Sequence, residues 1–155
     1  MSKAHNLLAT DTRSAKIAAR YSLPLLLAHR IADTLADVEV PSYVRLVLQT
    51  LLECSTNPNR NIPLFDLQLE INHNSGIWLS DRSIKHAIKI LIEDHGISIG
   101  ASRTGEHGYF FVRTPAQSKA ALTPLLAEIR SLARRCNVLS PRSIYIRQLH
   151  GQEVL

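Results

Sequence analysis

The chain has 155 residues, of which 45% are apolar, a formal net charge of +5 and two cysteines. Such a chain can bury one core with extensions, and its composition excludes disorder, low complexity and a disulfide scaffold, since Cys54 and Cys136 lie far apart in sequence. No apolar run reaches the roughly 20 residues that cross a bilayer, and no signal-peptide segment opens the chain, so a cytoplasmic location without membrane contact is expected.

Residues 1–12 read as a loose arm ending in a Thr10-Asp11-Thr12 turn. From Arg13 to Val38 the pattern is helical, with Ile17, Tyr21, Leu25, Ala28, Ala32 and Leu35 on one face. Pro24 interrupts it and predicts a kink or a second start, because an internal proline removes a backbone bond. Val40-Pro41-Ser42 marks a boundary. Val44, Val47, Leu48, Leu51 and Leu52 predict a helix to Cys54, followed by a loop over residues 56–61.

Phe65 to Asn72 alternates apolar and polar residues, the mark of a strand, yet Leu64, Leu67 and Ile71 also make a helical stripe with Pro63 at a first helical position. We read this segment as helix. His73 to Leu79 forms a connection in which Trp78, the only tryptophan, is expected to plug the core.

The most informative stretch follows. Ile84, Ala87, Ile88 and Leu91 recur at i, i+3, i+4 and i+7, while Arg82, Lys85, His86 and Lys89 repeat that spacing about 200° around the helix. Ser80 is placed as a cap, Asp81 meets the positive end of the helix dipole, and Gly96 predicts the stop. Ile97-Ser98-Ile99 and Tyr109 to Val112 then read as two strands joined by a long polar tip from Gly100 to Gly108.

Thr114-Pro115 predicts a cap and a first-turn proline for a basic helix whose apolar face is Leu122, Leu125, Leu126, Ile129, Leu132, Ala133 and Cys136, restarted at Pro124. Ser140-Pro141 breaks it and leaves a tail with Arg142, Tyr145, Arg147 and His150.

A capped basic helix followed by a hairpin resembles the winged helix-turn-helix superfamily of DNA-binding domains, of the bacterial, phage and plasmid type. Leu79 to Ile84 and Gly96 to Arg103 carry the likeness. The resemblance covers residues 42 to 115 and implies a recognition helix (80–95) in a major groove and a wing (100–108) on phosphates or the minor groove. The fold class expected is mainly α with a small β-hairpin. Its organisation is an N-terminal arm and helical extension (1–40), a winged helix-turn-helix domain (41–114), an amphipathic basic helix (115–139) and a tail (140–155).

The DNA-binding candidates are Ser80, Arg82, Ser83, Lys85, His86 and Lys89 on the helix, with Arg103, Thr104 and His107 on the wing. Phosphate contacts set affinity and base contacts set selectivity. The basic excess concentrates at the end, where residues 115–155 hold six Lys or Arg against two acids.

No catalytic constellation is evident. The GxxxxG spacing of Gly100 to Gly105 is followed by Glu106 and His107 where a phosphate loop needs Lys and Ser or Thr, and neither an HExxH pair nor a GxSxG elbow occurs. The expectation is a non-enzymatic regulator of transcription or replication that binds double-stranded DNA. It needs no cofactor, metal or small-molecule ligand, and it forms a homodimer through the flanking helices. The alternative is a winged-helix protein-protein adaptor in a larger assembly.

Overall fold

A computed structural model describes residues 2–103 and 105–139. Thr104 and the tail lie outside the described residues. In chain order the elements are α1 (Ser2–Tyr21), α2 (Leu25–Ala36), α3 (Ser42–Cys54), α4 (Leu64–Ser75), α5 (Asp81–Glu93), β1 (Ile99–Ser102), β2 (Gly108–Phe111) and α6 (Pro115–Leu139). The described residues are mainly helical with one antiparallel hairpin.

The expected arm is instead the first half of α1. Lys3 to Ala9 holds good helix formers, and no proline or glycine precedes Pro24, so nothing local stops the helix. The kink expected at Pro24 is a reversal. Ser22 adopts a left-handed conformation (φ 52°), and the Leu23 N–H returns to the Ala18 carbonyl at 3.1 Å, a Schellman closure built without glycine. Pro24 then accepts the Ala28 N–H at 3.0 Å and opens α2, which runs back along α1 so that His29 Nδ1 meets Ser14 Oγ at 3.2 Å. A stripe drawn through a straight helix cannot cross that reversal, and Leu25 is accordingly 63% exposed.

Val44, Val47, Leu48 and Leu51 of α3 are wholly buried against Ile84, Ala87 and Leu91 of α5 and Leu67 and Ile71 of α4. Ile17, Tyr21, Leu27, Ile31 and Ala32 of α1 and α2 belong to the same cluster. Arg113 closes it from below. Its Nε donates to the Tyr21 carbonyl (3.3 Å), Nη1 to Phe111 (3.3 Å) and Nη2 to Ser55 (3.1 Å), so one guanidinium satisfies the C-terminal ends of α1 and α3.

The segment from Leu64 is a helix, as read, although Pro63 is its N-cap and not its first residue. The alternation came from Phe65 and Leu69, apolar residues that face solvent. Gly76 caps α4 in the left-handed region (φ 71°), its N–H bonded to the Asn72 carbonyl at 2.8 Å. Trp78 does not plug the core: it is 56% exposed, beside an exposed Ile77. Gln68, by contrast, is buried, and its amide Nε2 donates to the Leu79 carbonyl (3.1 Å) and to Asp81 Oδ1 (2.8 Å).

The strands pair Ile99 with Phe111 through Ser102 with Gly108, so β1 starts two residues later than expected and the tip shortens to residues 103–107. Ile62, ahead of α4, adds a bridge by exchanging two 2.8 Å bonds with Tyr109. Gly108 (φ 143°) permits this, since a Cβ there would lie 2.5 Å from the Ile62 carbonyl. Thr114 Oγ1 accepts the Gln117 N–H at 3.2 Å, and α6 then continues through Pro124 without a restart. Its first half rests on the hairpin, but Leu122, Leu125, Leu126, Ile129 and Leu132 are about half exposed.

Candidate nucleic-acid interface

α5 is held at both ends. Ser80 Oγ accepts the Ser83 N–H at 3.2 Å and lies 2.9 Å from Ser83 Oγ, while Gln68 fixes Asp81 in the first turn. At the other end Arg30 of α2 donates to the Gly96 carbonyl at 2.8 Å. Burial of Ile84, Ala87, Ile88 and Leu91 therefore fixes the rotation of the helix and turns Arg82, Lys85, His86 and Lys89 outward.

These four, with Ser83, line one open groove together with Leu79 and Tyr43. The Tyr43 hydroxyl lies 2.9 Å from His86 Nδ1, and the rings stack at a 6.5 Å centroid distance and 12° interplanar angle. That contact engages Nδ1 and orients the imidazole, so Nε2 is the ring nitrogen left for a ligand. Lys89 Nζ is 3.9 Å from Glu93 Oε2, an exposed pair worth little in water. The groove offers cations, imidazole and hydroxyls together, suited to phosphates and base edges.

The wing candidates do not join this groove. Arg103 lines a hollow against α6 with Phe110 and Pro124, and His107 lines another with Asn59, Arg60 and Glu106. Asn61 Nδ2 donates to the Glu106 carbonyl at 2.6 Å and fastens the tip. On β2 the Tyr109 phenol is pushed above its ordinary value first by burial and then by the Asp81 carboxylate of α5. Thr104 lies outside the described residues.

Compared with protein-family models, curated proteins and solved structures, the chain matches none.

Three contributors escaped the sequence reading: Tyr43, Gln68 and Arg30. Tyr43 carried a weak signal, an aromatic lying off the buried stripe of α3. Gln68 and Arg30 carried none, because what distinguishes them is a partner 11 or more residues away. Among the described residues no helix is long and apolar enough to cross a membrane.

Proposed function

We propose that the chain is a winged helix-turn-helix protein that binds double-stranded DNA with α5 in the major groove, working in the cytoplasm as a regulator of transcription or replication. The observation that carries this reading is the convergence of Arg82, Ser83, Lys85, His86 and Lys89 on one exposed face of a helix fixed at both ends. The Ile62 bridge beside the hairpin supports the winged fold, since it broadens the sheet at the base of the wing. Arg82, Lys85 and His86 read base edges or nearby phosphates, Lys89 holds a phosphate, and Arg103 and His107 attract the backbone from the wing. In this role the chain binds without catalysing a reaction.

Affinity for duplex DNA is expected to fall linearly in log salt, with a slope of several neutralised phosphates. Arg82→Ala and Lys85→Ala should each weaken binding, by about 1–3 kcal/mol where a base contact is lost, with unchanged circular dichroism. Normal affinity in both variants would remove α5 from the interface.

A protein-protein adaptor is the second reading, favoured by exposed Ile77 and Trp78 immediately before α5. Binding that ignores salt and depends on Trp78 would replace the first reading with the second.

A further inference from the structure

A cavity between α1 and α3, remote in character from the α5 groove, is not used by the reading above. Arg13, Lys16 and Arg20 stand at i, i+3 and i+7 on α1 and line it from one side, and Arg45 of α3 lines it from the other. Glu53 is the only acid on this lining among the described residues, and none of the four cations makes an ion pair there with a described residue. Lys16 and Arg20 are like charges at i, i+4, an arrangement that destabilises a helix unless an anion offsets it. Arg45 faces them from α3; its Nε is buried without a hydrogen-bond partner, so only the rest of its guanidinium can meet a ligand in the cavity.

Beside these cations the lining is apolar, with Tyr21 as well as aliphatic side chains. Ile17, Leu46 and Leu52 belong to it, with Ile17 and Leu52 less than a tenth exposed. Guanidinium forks suit phosphate oxygens, and an apolar lining suits the flat body of a base. The cavity is also set apart from the DNA groove. Tyr43 and Arg45 are two residues apart on α3, hence about 200° around its axis, so a duplex on the Tyr43 side does not present its backbone to Arg45.

We infer that this cavity binds a small phosphate-rich anion of the nucleoside di- or triphosphate class, its phosphates on Arg13, Lys16, Arg20 and Arg45 and its base over Ile17 and Leu46. The inference stands independently of the DNA reading.

Calorimetric titration of the full chain with ATP, AMP and pyrophosphate tests it. ATP should bind once per chain, AMP about tenfold more weakly for want of the outer phosphates, and pyrophosphate more weakly than ATP for want of the base. Arg13→Gln combined with Arg20→Gln, both exposed in the free chain, should weaken ATP about tenfold with unchanged circular dichroism, whereas Lys85→Ala should leave ATP affinity unaltered. Absence of heat with ATP up to about 1 mM overturns the proposal. So does equal loss in Lys85→Ala, which would put ATP in the α5 groove. Pyrophosphate binding as tightly as ATP overturns the nucleotide assignment. Displacement of ATP by duplex DNA, with matching loss of DNA affinity in the double variant, would make the cavity part of the DNA surface.

Discussion

Gln68 donates both of its Nε2 bonds to the turn before α5, so replacing it by an apolar side chain of similar length strands the Leu79 carbonyl and frees the Asp81 carboxylate. Gln68→Met should lower stability by about 1–3 kcal/mol, read from urea unfolding. Tyr43→Phe removes only the hydroxyl at His86 and should cost about 0.5–1.5 kcal/mol in DNA affinity while the fold stays intact. A larger loss of stability than of affinity in Tyr43→Phe would mean the contact serves packing alone. Tyr109 has a pH signature. Its folded-state phenol titrates above the unfolded one because burial and Asp81 disfavour the phenolate. The stability this lends is complete below the unfolded value near pH 10 and is lost as pH rises through the higher folded value. Unfolding midpoints should therefore drop above about pH 10 in the native chain and drop less in Tyr109→Phe.

At the scale of elements, α6 is the one whose apolar face lacks a cover among the described residues. Leu122, Leu125, Leu126, Ile129 and Leu132 present a continuous aliphatic strip on a helix whose opposite side carries Arg134 and Arg135. A second copy of the chain is the proposed cover, because a two-fold pair would set two α5 helices on successive major-groove turns roughly 34 Å apart. Sedimentation equilibrium at micromolar concentration should give twice the chain mass, and Leu126→Asp with Ile129→Asp should shift it to monomer without loss of helix content. A persistent dimer in that variant would put the seam elsewhere. The apolar face of α1 and α2 is not available for such a seam, since Ile17, Tyr21, Ala28 and Ala32 are consumed in the chain's own core.

For the molecule as a whole, that shared cluster decides which parts are separable. α1 and α2 contribute Ile17, Tyr21, Leu27 and Ile31 to the cluster that supports α3 and α5, Arg30 binds the Gly96 carbonyl in the turn that follows α5, and Arg113 binds the α1 terminus to the α3 terminus. Deleting residues 1–39 should consequently abolish cooperative unfolding instead of merely changing the oligomeric state, because several fully buried aliphatic contacts vanish at once, each worth about 2–5 kcal/mol. A calorimetric transition near the native midpoint in that truncation would show that the remainder folds alone.

Local chemistry, legible in the chain itself, determined α3, α5 and their buried faces: the stripes Val44, Val47, Leu48, Leu51 and Ile84, Ala87, Ile88, Leu91 have one period and one solution, and Ser80 and Thr114 cap where short-range hydrogen bonding puts them. The outward set on α5 followed automatically, since a helix with one buried face has only one other to show. What depended on residues far apart in sequence could not be read there. The reversal at Ser22 needed α2 to find α1, Gln68 met Leu79 and Asp81 only once α4 lay beside the start of α5, and Tyr43 entered the groove because α3 crosses α5 at His86. The separation of Arg103 from His107 arises in the same way, from where α6 and the 57–61 loop lie against the two sides of the hairpin. Periodicity and capping act over four residues, whereas these features are set by which surfaces meet after the chain has folded.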